Sequence, residues 1–327
     1  MNDQSPILET SGYYWRTCTL HAAVKLEIFT VIGTAGLTGS DVAEKIGGDE
    51  RATTMLLDAL VAMNLLEKKH NRYGNGAASR KYLCKDSPHY VGHIIMHHHH
   101  LMESWHQLDR AILTGKPVRA RASVSSEEWR ESFLMGMFNL AMNLAPKVAA
   151  KVDLSSRSHL LDLGGGPGTY AIHFCKANPN LKATVYDLAT TRPFAEETIA
   201  KFGMSDRIRF LEGNYLELDI SGSYDVAWLS QILHGEGPEE CRRIINKAVA
   251  ALKPGGLIMV HEFILNDSMD GPLFPALFSL NMLLGTATGQ SYSERQITEM
   301  LTEAGVKEAH RLEFRGPNDS GIIAGTV

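Results

Sequence analysis

The sequence has few cysteines, and their spacing excludes two kinds of cysteine-based site. Only four occur in 327 residues, namely Cys18, Cys84, Cys175 and Cys241, and no two of them form a Cys-x-x-Cys motif. A thiolate zinc site needs paired ligands, and a disulfide framework needs a higher density of cysteines. Scattered thiols are typical of a reducing compartment, so we expect a cytoplasmic protein.

The chain also lacks a long apolar run and a strong excess of charge. No run reaches the length of about 20 apolar residues that a transmembrane helix needs. The first residues have no basic segment leading into an apolar one, as a signal peptide would. The formal net charge is −5, whereas nucleic-acid-binding proteins usually carry a basic excess. We therefore expect no membrane insertion and no nucleic-acid partner.

What the sequence does contain is a glycine-rich turn after an apolar strand. The run Leu160–Leu163 is followed by glycines at positions 164, 165, 166 and 168. Glycine has no Cβ, so such a turn lets the backbone approach a ligand closely. A Gly-x-Gly-x-x-Gly dinucleotide motif would need glycine in place of Thr169, and the Gly-Lys-Ser/Thr of a phosphate loop is absent. The turn predicts a nucleoside ligand without a pyrophosphate.

The first 95 residues predict a mainly helical domain with one small β element. Apolar residues recur at helical spacing over residues 14–32, 41–46 and 51–66. A hairpin is expected next, because Asn75-Gly76 is a turn signal. Helix, helix, helix and hairpin is the order of a winged helix, so we predict a winged-helix-like domain over residues 1–95.

The second half of the chain predicts an α/β domain. Residues 96–150 are mostly helical and are predicted to form a connecting layer, which leaves residues 151–327 as a separate domain. From residue 158 onward, strand-like and helix-like runs alternate, a pattern typical of a mostly parallel sheet with helices on both faces. The predicted strands are His159–Leu163, Ala183–Tyr186, Ile208–Leu211, Asp225–Leu229, Leu257–Val260 and a terminal hairpin of Val306–Phe314 with Gly321–Val327.

The ends of the second and third predicted strands carry side chains suited to a nucleoside. Open α/β sheets bind ligands beyond the carboxyl ends of their strands. Asp187 ends the second strand, where it could accept hydrogen bonds from a ribose diol. Asn214 and Tyr215 follow the third strand and could flank an adenine, although asparagine is also common in turns for backbone reasons alone.

A histidine and a glutamate follow the fourth and fifth predicted strands. If these strands are neighbours, His234 and Glu262 face one crevice. Imidazole titrates near neutral pH and can take a proton from a hydroxyl group. A carboxylate beside it would fix its tautomer and stabilise its charged form. A histidine alone after a strand is more often structural, and the matching carboxylate favours a catalytic pair. No serine or cysteine has a nucleophile-elbow context, so hydrolysis is not favoured.

These motifs belong to a set of short segments that, together with the winged-helix-like start and the helix holding Trp105 and Leu108, extends over nearly the whole chain. The segments are Phe138–Met142, Leu161–Gly168, Val185–Leu188, Gly213–Tyr215, Ile232–His234, Leu252–Gly256 and Val260–Glu262. The set resembles the S-adenosylmethionine-dependent O-methyltransferases of the plant caffeate and animal acetylserotonin type. The resemblance implies a Rossmann-like, seven-stranded α/β methyltransferase sheet behind an N-terminal winged-helix dimerisation domain.

The resemblance also implies a cofactor, a reaction and a partner. S-adenosylmethionine would donate a methyl group to a hydroxyl of a small aromatic or heteroaromatic acceptor, with His234 as general base and Glu262 as its supporting acid. The implied cofactor-binding residues are Asp162, Gly164, Gly166, Gly168, Asp187, Leu188, Asn214, Tyr215 and Ser230. The implied acceptor-pocket residues are Trp105, Asn139, Met142, Asn281 and Met282. The N-terminal domain would form a homodimer, and no metal ion would be needed.

The chain departs from the family pattern at three places. The family often has aspartate where this chain has Asn214, and it usually follows its histidine with Asp-Trp where this chain has Gly235-Glu236. A second carboxylate of the family is replaced by Ser291. The base would then have one acidic partner, and we expect its activation to depend on Glu262.

A run of histidines raises the alternative of a metal site. His93, His97 and His100 are spaced to share one helical face and could hold a metal ion. No acidic group is obvious nearby, and the four histidines at 97–100 point to several faces of a helix. We therefore predict no metal site, and a contribution to the acceptor pocket is the second interpretation.

Two further classes of function stay open. One is a winged-helix regulator that senses S-adenosylmethionine, but its recognition helix, residues 51–66, would carry only Arg51 as a basic group. A helix that reads DNA needs arginine, lysine and amides on its open face. The other is methylation of nitrogen, of carbon or of a large planar acceptor such as a tetrapyrrole. The pair of His234 and Glu262 favours a hydroxyl acceptor, because a neutral amine needs no prior deprotonation.

Overall fold

A computed structural model gives the fold and describes residues 4–121, 127–217, 219–220 and 222–327. The helices in these ranges are α1 Ser5–Gly12, α2 Tyr14–Lys25, α3 Ile28–Ile32, α4 Gly39–Ile46, α5 Glu50–Ala62, α6 Ala77–Tyr82, α7 Gly92–Trp105, α8 Leu108–Thr114, α9 Glu127–Lys151, α10 Thr169–Ala177, α11 Arg192–Lys201, α12 Pro238–Ala250, α13 Leu273–Gly285 and α14 Glu294–Glu303. The strands are β1 Leu66–Lys69, β2 Arg72–Asn75, β3 His159–Leu163, β4 Lys182–Asp187, β5 Ile208–Glu212, β6 Tyr224–Ser230, β7 Leu252–Leu265, β8 Tyr292–Ser293, β9 Lys307–Arg311 and β10 Ser320–Thr326.

The chain forms two compact units. The N-terminal unit holds the chain up to Met102 together with Glu131–Asn139. The C-terminal unit holds Glu103–Arg130 and Leu140–Val327. The long helix α9 therefore contributes residues to both units. No helix among the described residues is long and apolar enough to cross a membrane.

Helices packed around one apolar core make up most of the N-terminal unit. Ile28, Phe29, Leu57 and Leu60 are fully buried in this core. Strands β1 and β2 form an antiparallel hairpin, and Leu37 adds a single bridge to Tyr73 of β2. The mainly helical N-terminal domain with one small β element is confirmed.

Two local predictions in this unit are wrong. The hairpin turn is formed by His70 and Asn71, which both have positive φ (49° and 61°) as a two-residue hairpin turn requires. Asn75 instead ends β2, and its side-chain amide donates to the Phe29 carbonyl at 2.8 Å. The helix predicted over residues 14–32 is interrupted, because Glu27 adopts φ 54° between α2 and α3.

The histidine run lies on α7 and packs against rings of the same unit. The His97 ring lies 5.3 Å from the Phe133 ring, and the His99 ring lies 5.5 Å from the His21 ring. Burial and the nearby His99 and His98 lower the pKa of His21 to about 4, so His21 is uncharged at neutral pH. Within the described ranges, no three His, Cys, Asp or Glu side chains are arranged to hold a metal ion.

A seven-stranded path forms the sheet of the C-terminal unit, in the order β5-β4-β3-β6-β7-β10-β9, and β8 pairs with β7 beyond it. The first five strands of that path run parallel, whereas β10 is antiparallel to both β7 and β9. Apolar clusters cover both faces of the sheet, with Trp228 and Phe174 in one and Tyr224 and Val260 in the other. The predicted mostly parallel α/β sheet with a terminal hairpin is confirmed.

Strand order places a crevice at the middle of this sheet. From β3 the chain moves outward through β4 to β5, and it then returns to build β6 and β7 on the opposite side. Such a reversal separates the loops after the two central strands and opens a ligand-binding crevice at their carboxyl ends. The loops after β3, β4, β5, β6 and β7 all leave the sheet at this edge.

Candidate active site

The loop after β3 has a backbone that only glycine adopts without strain. Gly164, Gly166 and Gly168 have φ values of 66°, 53° and 76°, which lie in the left-handed region. A Cβ on Gly164 would lie 2.5 Å from Cγ2 of Ile232, so a larger residue would also collide there. A Cβ on Gly166 would meet no atom within 4 Å, so this part of the turn faces open space.

Asp162 lies beneath the turn. Its side chain is buried and accepts a hydrogen bond from the backbone N–H of Ala171, in the first turn of α10, at 3.2 Å. A Cβ on Gly165 would lie 2.7 Å from the Asp162 carboxyl carbon, so the turn rests directly on this group. Burial raises the pKa of Asp162 to about 7, and nearby Asp187 adds to the increase while the bond from Ala171 opposes it. Asp162 therefore supports the shape of the turn from below.

This raised pKa predicts a pH-dependent cost of folding. The carboxyl titrates near 3.8 in the unfolded chain and near 7 in the folded protein. The folded state thus binds more protons between these values, and stability falls as the pH rises through this range. We expect Asp162→Asn to be more stable than the unsubstituted protein at pH 8, by about 4 kcal/mol, with a smaller difference at pH 5.

Urea midpoints at the two pH values measure this difference. The exposed Asp206 gives a matched control, since Asp206→Asn changes the same functional group without a burial cost. A stability difference for Asp162→Asn that stays constant from pH 5 to pH 8 would contradict the titration of a buried carboxyl.

Asp187 at the end of β4 ties the glycine turn to the neighbouring strand. Its Oδ2 accepts from the Gly166 N–H at 2.8 Å. Its Oδ1 accepts from the Leu188 N–H at 2.7 Å and from the Thr191 hydroxyl at 3.1 Å. Burial raises the pKa of Asp187, and these hydrogen bonds oppose the increase. The carboxylate lies at the open part of the turn, where it can also meet a ribose hydroxyl.

The loop after β5 brings an asparagine and a tyrosine to the same edge. The side chain of Asn214 accepts from the Leu216 N–H at 3.0 Å and donates to Glu217 at 2.9 Å, so it shapes its own turn. The Tyr215 ring lies beside the glycine turn, since a Cβ on Gly164 would lie 3.6 Å from ring atom Cε1. At the end of β6, the Ser230 hydroxyl lies 2.8 Å from Nδ1 of His261.

These features fit a nucleoside bound without a pyrophosphate. The turn has one open side at Gly166, the Asp187 carboxylate lies next to it, and an aromatic ring stands beside it at Tyr215. An acidic group at this strand end suits the paired hydroxyls of a ribose. The donors and acceptors that such a ligand needs are therefore brought together by three consecutive strand ends.

His234, in the turn after β6, forms a hydrogen-bonded pair with Glu262 of β7. Because β7 runs on to Leu265, Glu262 lies within this strand, and the prediction that it follows the strand is wrong. These strands are neighbours, with Ser230 opposite His261. Nδ1 of His234 lies 2.7 Å from Oε2 of Glu262. The second carboxylate oxygen, Oε1, accepts from the Leu233 N–H at 2.8 Å, so both oxygens are held. The Glu262 side chain is buried at 2% exposure and the His234 side chain is 14% exposed.

The pairing decides which nitrogen of His234 can act. A carboxylate only accepts hydrogen bonds, so Nδ1 carries the proton of the neutral ring and Nε2 carries the lone pair. Nε2 makes no hydrogen bond to any residue that the structure describes. The ring is therefore oriented to accept a proton at Nε2.

Three phenylalanines enclose the histidine. The Phe278 ring meets the His234 ring edge-on at 4.8 Å, and the Phe263 ring stacks at 6.2 Å. Phe274 packs on Phe263 at 4.8 Å. Together the three rings form an apolar wall on one side of His234. The sequence interpretation missed these rings, although phenylalanines at positions 274 and 278 are spaced to share one face of a helix.

An arginine that the sequence interpretation did not single out binds the loop after His234. Arg121 donates to the two carboxylate oxygens of Glu236 at 2.6 and 2.9 Å, and to the Gly235 carbonyl at 2.8 Å. The Glu236 side chain is 4% exposed, so its charge is compensated by this bidentate pair. The acidic residue two positions after the histidine was the available signal, but its partner lies more than 100 positions earlier in the chain.

The residues predicted to line an acceptor pocket lie on three helices. Asn281 and Met282 are nearly buried on α13, Trp105 ends α7, and Met142 lies on α9. Asn139 also lies on α9, in the N-terminal unit, where its amide donates to the Tyr90 carbonyl at 2.8 Å. The assembly of these five residues into one pocket stays a prediction.

Ser291 is fully buried at the departure from the family pattern. Its hydroxyl donates to the Pro275 carbonyl at 2.8 Å, in the first turn of α13. Among the described residues, Glu262 is the only carboxylate paired with His234. The sequence predicts a single acidic partner for His234, and the described residues show this arrangement.

Comparison with known proteins agrees with the fold. Residues 109–307 match the O-methyltransferase domain, and residues 8–85 match the O-methyltransferase dimerisation domain. The 3-hydroxy-5-methyl-1-naphthoate 3-O-methyltransferase of Streptomyces sahachiroi is 32% identical over 95% of this chain and 92% of its own. The acetylserotonin O-methyltransferase of Gallus gallus is 30% identical over 92% of each chain.

A third relative connects the fold to the cofactor. The S-adenosyl-L-methionine-dependent methyltransferase PigF of a Serratia species is 26% identical over 97% of this chain and 94% of its own. A solved structure of PigF with S-adenosylhomocysteine (SAH) superposes with a TM-score of 0.91 at 25% identity and covers 100% of both chains. With an O-methyltransferase domain matched over most of its length, a dimerisation domain before it and a relative that is 32% identical, this chain belongs to the S-adenosylmethionine-dependent O-methyltransferases.

Proposed function

We propose that this enzyme methylates a hydroxyl group on a small aromatic metabolite, with His234 as the general base and Glu262 as its supporting acid. The observation that carries the proposal is the 2.7 Å bond from Nδ1 of His234 to Glu262, which leaves Nε2 to accept a proton. Two relatives are named for a hydroxynaphthoate and for acetylserotonin, which supports an aromatic acceptor.

The cofactor would occupy the crevice at the carboxyl ends of β3 to β6. S-adenosylmethionine supplies an electrophilic methyl group when it is bound. Asp187 would accept from its ribose, and the open side of the turn would receive the nucleoside. The remaining contacts would come from the residues that surround this crevice, namely Gly164, Gly166, Gly168, Leu188, Asn214, Tyr215 and Ser230. We assign Asp162 an indirect role, because it lies beneath the turn.

His234 would act on the acceptor in one proton transfer. Nε2 would take the proton of the acceptor hydroxyl, and the resulting imidazolium would be stabilised by the carboxylate of Glu262. Holding the oxygen in line with the methyl group accounts for most of the rate in such reactions. A correctly placed base contributes about 10²–10⁴-fold.

The acceptor would bind between Phe278 and the residues predicted for its pocket. Phe263, Phe274 and Phe278 supply an apolar wall at His234. We propose that Asn281 and Met282 on α13, together with Trp105 and Met142 of the same unit, complete the pocket. A nitrogen or carbon acceptor is disfavoured, because a base held against a buried carboxylate is suited to removing a proton from oxygen.

We further propose a cytoplasmic homodimer that binds no nucleic acid. The dimerisation domain covers the N-terminal helices, and Ile7, Leu8 and Trp15 in α1 and α2 are 73%, 65% and 68% exposed. Exposed apolar side chains of this size are typical of a surface that a second subunit covers. All four cysteines are free, which supports a reducing compartment.

Methyl transfer to a matched set of acceptors tests the proposed function. We expect the purified enzyme to transfer labelled methyl from S-adenosylmethionine to the oxygen of hydroxynaphthalenes. The corresponding methoxynaphthalenes should accept nothing, since their oxygen has no proton to lose. Product analysis by mass spectrometry and NMR locates the methyl group. Transfer to naphthylamines or to ring carbon, with none to oxygen, would contradict the proposal.

A further inference from the structure

An arginine that forms no ion pair with any described residue lies near His234 in the C-terminal unit. Arg119 belongs to the segment between α8 and α9, and this segment is fixed to the end of α13. The backbone N–H groups of Val118 and Arg119 donate to the Leu284 carbonyl at 3.0 and 3.2 Å. The Arg119 side chain is half-buried, and its Nε is shielded from solvent with no hydrogen-bond partner among the described residues.

The contacts of the Arg119 guanidinium are weak and uncharged. Nη2 donates to the backbone carbonyl and to the side-chain oxygen of Asn281 at 3.3 and 3.4 Å, and Nη1 donates to the Ala120 carbonyl at 3.4 Å. No carboxylate of a described residue forms a salt bridge with it. Burial alone lowers the pKa of Arg119.

Arg121, two residues further on, gives a contrast within the same segment. It forms a bidentate pair with Glu236 and is fully compensated. A half-buried cation without a counter-charge is costly, because it has lost part of its hydration and gained no ion pair. Of these two arginines, Arg119 is therefore the one that has capacity for an anion.

Contacts along helix α13 show how far Arg119 lies from His234. Phe278 touches His234, Asn281 contacts Arg119, and a Cβ on Gly285 would lie 2.5 Å from the Arg119 guanidinium. Positions 278, 281 and 285 are spaced by three and four residues and share one face of the helix. The guanidinium thus lies roughly 5–10 Å along this face from the ring beside His234. That span matches the size of a substituted aromatic ring.

We propose that Arg119 binds a carboxylate carried by the methyl acceptor, so that the preferred substrates of this enzyme are hydroxylated aromatic acids. This inference rests on the proposed function, because it takes the acceptor hydroxyl to lie at His234. The planar guanidinium suits a carboxylate, since it can donate two parallel hydrogen bonds to it. Gly285 leaves the space in which the guanidinium lies.

A structural role for Arg119 makes a different prediction. An arginine near the C-terminal end of a helix can donate hydrogen bonds to the last carbonyl groups of the helix and interact favourably with the helix dipole. Replacing such a residue would destabilise α13 and weaken the binding of every acceptor equally. A carboxylate-binding role instead weakens acids alone and leaves neutral acceptors unchanged.

Binding of matched acids and amides separates these roles without any methyl transfer. The probes are benzoate, 1-naphthoate and 2-naphthoate, each paired with its neutral carboxamide, titrated by calorimetry into enzyme saturated with SAH. For at least one pair we expect the acid to bind about 10- to 100-fold more tightly than the amide, as for a charge-assisted hydrogen bond. Arg119→Gln should reduce that preference to within about threefold by removing this bond.

Gly285→Ala provides a second variant that keeps the arginine. Its new Cβ would displace the guanidinium, so the acid preference should fall while amide binding changes little. Arg295→Gln is the matched control, because Arg295 is 61% exposed and lies outside the site. It should retain the full preference.

Two results would overturn the inference. One is an unsubstituted enzyme that binds no acid more tightly than its amide. The other is an Arg119→Gln variant that loses acid and amide binding to the same extent. Methyl transfer to hydroxynaphthalenes tests the proposed function separately. If the enzyme methylates them but shows no preference for acids, only the role of Arg119 is refuted.

Discussion

Replacing His234 with alanine is expected to lower kcat by about 10²–10⁴-fold. The dissociation constant of S-adenosylmethionine should stay within about twofold of the unsubstituted value, because His234 is not one of the residues proposed to bind the cofactor. The physical reason is the loss of Nε2 as proton acceptor, which leaves water to deprotonate the hydroxyl. Steady-state turnover with a hydroxynaphthalene and calorimetry with the cofactor measure the two quantities.

The exposed His310 supplies the matched control for this substitution. It lies on the edge strand β9, and its Nδ1 bonds to the backbone carbonyl of Glu308. His310→Ala should keep full turnover. If His234→Ala also kept full turnover, the assignment of the base would be wrong. A large loss of cofactor affinity in His234→Ala would instead indicate a structural role for the ring.

Replacing Asp187 with alanine is expected to weaken cofactor binding and to leave kcat nearly unchanged. We expect cofactor affinity to fall by about 100- to 1000-fold, since two charge-assisted hydrogen bonds to a ribose are worth roughly 3–4 kcal/mol together. The lost bond from Gly166 also frees the turn. At saturating cofactor, kcat should stay within a few-fold of the unsubstituted value, because the His234–Glu262 pair is untouched.

Glu212 offers a control for Asp187 at the neighbouring strand end. It ends β5, pairs with Arg192 and has a 58% exposed side chain. Glu212→Ala should leave cofactor affinity nearly unchanged. Calorimetry with S-adenosylmethionine measures affinity for both variants, and thermal unfolding checks that both are folded. An Asp187→Ala variant that is folded and binds the cofactor normally would remove Asp187 from the cofactor site.

Much of the C-terminal unit follows from the sequence because its signals are local. Buried parallel strands are short apolar runs, and their ends converge on one edge of the sheet. Asp187, His234 and Glu262 each follow such a run, so their convergence could be predicted once the strand order was assumed. The glycine turn at 164–168 could be predicted for the same reason, because its backbone angles require that residue type.

Other features depend on contacts between distant parts of the chain, and the sequence pattern does not contain them. Asn75-Gly76 is a turn signal, but the asparagine is used to bond to α3, and the turn falls at His70 and Asn71. Arg119 and Arg121 look like ordinary surface residues until α13 and the loop after His234 are packed against them. Tertiary contacts decided these roles.

The central claim is that His234 removes the proton of the acceptor hydroxyl, and acceptor acidity tests it most directly. A series of fluorinated hydroxynaphthalenes changes the acidity of the hydroxyl with little change in shape. Single-turnover methyl transfer is measured for the unsubstituted enzyme and for His234→Ala. We expect His234→Ala to lose about 10²–10⁴-fold with the least acidic member and little with members already ionised at the assay pH. An equal loss across the whole series would contradict the claim.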